Sequence, residues 1–184
     1  MKKLLLTSAI LAGLSAQVAF AANSGKVTFN GKVVDTTCII KSDDENKVVS
    51  LPSVPSSELT TAGNTTGDTG FELIITGCST GDSVTAGGIQ WKLDNNVDAA
   101  TGTLINQAST SPKASNVNIQ LVNEDGSAIK VGDANATASI NYKNLDKSST
   151  SAETKIPFSA RYYATGQATA GDVQAIANFS VVYK

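Results

Sequence analysis

The eleven residues Val173–Tyr183, VQAIANFSVVY, place Val173, Ala175, Ala177, Phe179, Val181 and Tyr183 at every second position. A strand turns successive side chains to opposite faces, so this alternation describes a β-strand with one face on an apolar core. Nothing in the chain carries a comparable stripe at the 3.6-residue spacing of a helix. The expected fold class is therefore all-β.

The same period recurs towards the N-terminus. Ile156, Phe158, Ala160 and Tyr162 share one face ahead of a turn at Thr165-Gly166. Val117, Ile119 and Leu121 alternate until Asn123-Glu124-Asp125-Gly126, a turn composition. Ile89, Trp91 and Leu93 form another run, with Trp91 at a core-facing position. Phe71, Leu73 and Ile75 lead into Gly77-Cys78, and Val27, Phe29 and Val33 form the first run. Short antiparallel strands with a turn about every ten residues predict a sandwich of the immunoglobulin type. Ala99–Ser115, rich in Thr, Ser, Asn and Ala, reads as a surface connection, and Asp43-Asp44-Glu45 as a solvated loop.

Residues 1–21 read as a signal peptide: Lys2 and Lys3 precede an apolar run from Leu4 to Leu14, and the segment closes on Ala19-Phe20-Ala21. That run falls short of the roughly 20 apolar residues of a membrane span. The remaining 163 residues suit one domain. Without Lys2 and Lys3, twelve basic residues face sixteen acidic ones, and a net charge of −4 argues against nucleic acid or an anionic membrane surface as partner. Cys38 and Cys78 are the only cysteines, and an even pair in an oxidising compartment implies a disulfide.

The composition excludes much chemistry. With no histidine in the chain, the commonest general base and the commonest neutral metal ligand are absent. No glycine-rich phosphate loop occurs, and the acidic run 43–45 lacks the spacing of a calcium loop. The expectation is a non-enzyme with no cofactor, no metal and no small-molecule substrate.

Several segments resemble the major subunits of type 1 and P pili, in the chaperone–usher fimbrial family. They are Gly25–Cys38 (GKVTFNGKVVDTTC), Phe71–Cys78 (FELIITGC), Val117–Gly126 (VNIQLVNEDG), Ile156–Ala164 (IPFSARYYA) and the terminal strand ending in Tyr183-Lys184. Tyr183, next to last, and Gly171, fourteenth from the end, are the most specific marks. The resemblance implies an incomplete immunoglobulin-like sandwich of six strands, with the seventh donated by another chain. On that reading residues 22–31 are a donor extension, with Val27 and Phe29 as plugs and Gly31 where little room is left, and residues 32–184 are the pilin domain. The strand carrying Gly171, Val173, Ala175, Ala177, Phe179, Val181, Tyr183 and Lys184 would line the groove and meet a periplasmic chaperone, with Val33 contributing from the first strand. Implied partners are neighbouring pilin subunits, that chaperone and an outer-membrane usher. The implied location is a fimbrium on the bacterial surface, reached through the periplasm, and the implied role a shaft used in adhesion. A minor or adaptor pilin and a carbohydrate-binding adhesin are the alternatives. Periodicity alone fits a complete sandwich equally, with Val27–Val33 as its ordinary first strand.

Overall fold

The computed structural model describes residues 26–29, 31–132 and 140–184. The expected signal peptide and residues 22–25 and 30 of the expected donor lie outside the described residues. The chain divides at Val33, and the body is Val34–Lys184.

Two antiparallel sheets build the body. In the first, the order is β1 (Ile39–Ile40), β2 (Thr65–Thr76), β9 (Thr154–Ala164), β6 (Val117–Asn123), β5 (Thr103–Ile105) and β4 (Val97–Asp98), with β7 (Ala128–Ile129) also on β6. In the second, β3 (Ala86–Trp91) lies between β10 (Phe179–Tyr183) and β8 (Lys143–Asn144). Among the described residues six strands have three residues or more, β1, β4, β7 and β8 are two-residue pairings, and there is no α-helix. This is the β-sandwich that the alternating pattern predicts.

The two longest strands form the spine because their apolar positions coincide in register. Phe71 pairs with Phe158 and Leu73 with Ile156, so each pair sends its side chains to the same face. Leu73, Ile75 and Ile156 are fully buried, each contributing about 1.5–3 kcal/mol relative to exposure. Opposite them β3 comes close enough that a Cβ on Gly87 would sit 2.7 Å from Ile75 Cδ1. Val117, Ile119 and Leu121 on β6 are buried as their parity predicts.

Three readings need correction. Ala99–Ser115 is not merely a surface connection: it contains β5, and Thr103, Leu104, Asn106, Ala108 and Ala114 are buried. Asp44 is 2% exposed, not solvated. Its Oδ2 accepts from the Ile74 N–H at 2.8 Å and its Oδ1 from Lys47 Nζ at 2.5 Å. The chain leaves β2 just after Lys41 N–H donates to Ile74 O, and the Asp44 carboxylate then takes the place of a neighbouring strand's carbonyl. The third concerns the C-terminal alternation, where regular pairing covers only Phe179–Tyr183 and Val173–Asn178 is extended without a strand partner.

The cysteines are joined, with their Cα atoms 4.2 Å apart. Around them the fold closes tightly. Asp82 accepts from the Ser79 N–H at 2.8 Å and from the N–H and hydroxyl of Thr37, each at 3.2 Å, and these bonds, led by Ser79, hold its carboxyl below the ordinary range.

Candidate functional site

A groove of about 700 Å³ opens along one side of the body. Its floor is the inner face of the first sheet, including Phe71, Leu73, Leu104, Ile119 and Leu121, joined by Trp91 from β3. Its walls are two segments outside regular strands, residues 45–51 and 173–178, the second continuing into Phe179 at the start of β10.

Each wall is fixed at its ends and unpaired between them. The first is held at one end by Asp44, which pairs with Lys47, and at the other by the Tyr162 hydroxyl, which donates to Pro52 O at 3.1 Å. The second is held at its head by bonds to residues 106 and 107, and at its tail by the Lys92 N–H, which donates to Asn178 O at 2.8 Å. Among the described residues, the backbones of 47–51 and 175–177 make no hydrogen bond. Two unpaired extended backbones beside an apolar floor offer what an added strand requires: free N–H and C=O groups and side-chain pockets at every second position.

The alternation in the sequence acts here. Val173, Ala175, Ala177 and Phe179 are half-buried, while Gln174, Ile176 and Asn178 between them are exposed. The small side chains at 175 and 177 leave the groove open. Trp91 sits edge-on to three phenyl rings, with centroids 5.3 Å from Phe158, 5.7 Å from Phe179 and 6.4 Å from Phe71, so it packs with the core as expected while forming part of the floor.

The other expected residues lie elsewhere. Val181 and Tyr183 belong to β10 and pack against the core beyond the groove. The Tyr183 hydroxyl donates to Cys38 O at 2.9 Å, and burial raises its pKa above the ordinary tyrosine value. Lys184 closes the strand: its carbonyl oxygen accepts from the Thr85 N–H at 2.7 Å, and its Nζ stands 3.8 Å from the Tyr142 ring centroid. Gly171 precedes the wall. A Cβ there would lie 2.4 Å from Ala114 N, and its φ of +153° is one that side-chain-bearing residues rarely adopt, so this backbone crossing requires glycine. Val27, Phe29 and Val33 are 74%, 90% and 100% exposed, and no strand is formed at 26–29 or 31–33. A Cβ on Gly31 would meet nothing within 4 Å.

Sequence reasoning missed the 45–51 wall and the residues that pin the walls, Asp44, Tyr162 and Asn106. The one signal for the wall was the apolar trio Val48, Val49 and Leu51 in a polar stretch.

Residues 27–184, the whole body and part of the segment before it, match the family profile described as fimbrial protein. The chain belongs to that family. This fimbrial subunit is 39% identical over 187 residues to the F17 fimbrial protein of Escherichia coli, with all of both chains covered. It is 34% identical to the major fimbrial subunit SMF-1 of Stenotrophomonas maltophilia, over 92% of this chain and 98% of that one. It is also 36% identical to the minor fimbrial subunit HifD of Haemophilus influenzae, over 95% of this chain and 81% of that one. These relatives are structural subunits of surface pili, of both major and minor kinds, and not enzymes. Among solved structures, a chaperone–usher pilus superposes with a TM-score of 0.58 at 18% identity, covering 89% of this chain and 98% of that one. The P pilus rod subunit PapA gives 0.57 at 14% identity, with 80% and 99% covered. The shared fold is the immunoglobulin-like sandwich of pilin subunits.

Proposed function

We propose that this fimbrial subunit builds a pilus shaft by strand donation, each copy placing its N-terminal segment in the groove of the copy added before it. The observation that carries the reading is the groove, whose two walls leave their backbones unpaired over an apolar floor. A wall of seven residues, 173–179, is about 20 Å long, enough to take a strand of similar length.

The N-terminal segment has the complementary character. Val27 and Phe29, of one parity, are exposed, and burying such side chains is favourable by about 1.5–3 kcal/mol each. Gly31 meets no constraint from its own surroundings, so the demand for a minimal side chain comes from the groove that receives it. A groove and a donor on different parts of one molecule give a head-to-tail contact that does not close, and such contacts propagate as filaments. Before assembly the open edge would aggregate, so the reading requires a periplasmic chaperone to cover it and an outer-membrane usher to exchange the cover for the next subunit's strand. Residues 1–21 direct export, residues 22–31 donate and residues 32–184 form the domain that accepts.

Deletion of residues 22–30, expressed beside the intact subunit, tests the assignment. The truncated copy is expected to remain chaperone-bound and to be excluded from growing filaments, because it can accept a strand but has none to place in the groove of the last copy added. Filaments of normal length made from the truncated copy alone would overturn it. Quantitative mass spectrometry of purified fimbriae separates a shaft from an adaptor, a shaft subunit being present in large excess over all others.

A further inference from the structure

Asn106 lies between β5 and β6 and is 4% exposed. Its amide spends every hydrogen-bonding position on main chain. Nδ2 donates to Ala114 O at 2.9 Å and to Asp172 O at 3.1 Å, while Oδ1 accepts from the Ala108 N–H and the Gln174 N–H, each at 3.0 Å. Beside it the Gln107 N–H donates to Gln174 O at 2.6 Å, so both polar groups of the Gln174 backbone end on this short stretch.

The position of these bonds along the wall gives them a meaning beyond filling a buried site. They fall at the head of the second wall, where the contacts of Asp172 with Pro112 and Ala114 end and the unpaired run 175–177 begins. The next backbone bond is at Asn178. Register over the wall therefore depends on two end points, one supplied by the Lys92 N–H just after β3 and the other by the Asn106 side chain together with the Gln107 N–H. In an extended segment a slip of one residue exchanges the faces. Here that would turn Gln174 and Ile176 into the groove in place of Val173, Ala175 and Ala177.

We propose that Asn106 is the positioning residue of the groove: it fixes the register of the 173–177 wall and so sets the affinity of the groove for the strand it receives. This rests on the strand-accepting reading of the groove. Affinity gained this way comes from a wall already ordered before the strand arrives, which spares the cost of ordering it on binding.

Trp91, the one tryptophan of the chain and part of the groove floor, provides the signal. A synthetic amidated peptide copying residues 22–33 is titrated into the mature full-length chain while Trp91 fluorescence is followed, for wild type, N106A, N106D and V84A. N106D retains shape and both acceptors but loses both donors. Val84 is fully buried and does not line the groove, so V84A lowers stability without touching the wall. The expected result is a Kd raised at least tenfold in N106A and severalfold in N106D, with V84A within twofold of wild type despite a comparable fall in Tm. Wild-type affinity in N106A would overturn the proposal, as would an equal loss in V84A. Should N106A not fold, wild-type affinity in N106D would overturn it and a severalfold loss would uphold it. No binding by the wild-type chain would instead overturn the strand-accepting reading itself, and this inference with it.

Discussion

Single polar side chains take over backbone roles at the points where strands stop. Asp44 substitutes for a strand at Ile74, and removing its carboxylate orphans a buried N–H together with the Lys47 ammonium. Asp44→Ala is therefore expected to cost about 2–3 kcal/mol in chemical denaturation, and Asp44→Asn much less because an amide oxygen still accepts. A fully tolerated alanine would show that water replaces the carboxylate. Tyr183 acts similarly by tying the last strand to Cys38 O. Tyr183→Phe is expected to cost about 1 kcal/mol, measured the same way, and to leave the pairing of β10 intact. Neither role was legible in the sequence. Asp44 stands in an acidic run that composition assigns to solvent, and Asn106 in a stretch whose composition suggests a surface loop. What makes them structural is backbone brought from 30 positions away for Asp44 and from 66 to 68 for Asn106.

Among the elements, the N-terminal segment and the second wall respond to substitution in opposite ways. Gly31→Leu meets no obstacle in its own chain, so Tm is expected to match wild type while filament yield falls sharply. Equal falls in both would place the constraint inside the subunit. Ala177→Leu fills the groove from the wall side and is expected to reduce filament yield by a different route, weakening acceptance of the residue 22–33 peptide where Gly31→Leu leaves acceptance unchanged. The alternation from Val173 to Tyr183 announced a single strand, and it is one continuous extended segment of one parity. Its division into an unpaired wall and a paired β10 could not be read from it, because the pattern records which face is apolar and not whether a neighbour supplies hydrogen bonds.

At the scale of the molecule, the disulfide and the surface carboxylates govern response to conditions. The bridge closes a loop of 40 residues, and replacing both cysteines by serine is expected to lower stability by about 4 kcal/mol on the chain-entropy estimate, measured by denaturant titration. Asp82, Asp94, Asp125 and Asp146 all titrate below the ordinary carboxyl range. The leading causes are the Ser79 N–H, the Asn178 amide, the Ser127 hydroxyl and the Ser148 N–H. A depressed folded pKa supplies stability that is present at neutral pH and lost as pH falls through the folded values, below about 4. Burial raises Tyr162 and Tyr183, whose contribution is present below about pH 10 and lost above it. Tm is therefore expected to be flat near neutrality and to fall at both extremes. A Tm that rose on acidification would contradict the first half of this account.

The sequence by itself determined the β-class, the parity of the strands β2, β6 and β9 and of the extended C-terminal segment, the cysteine pair and the exclusion of histidine-dependent chemistry. These are local matters: period-2 alternation and composition need no partner to be read. Only the tertiary structure decided that residues 45–51 form the opposite wall, that the groove lies open over Trp91, Leu104 and Ile119, and that Asp44 and Asn106 hold its edges. Each depends on which backbone groups remain unpaired once distant segments meet, and hydrogen-bond satisfaction is a property of the folded chain as a whole.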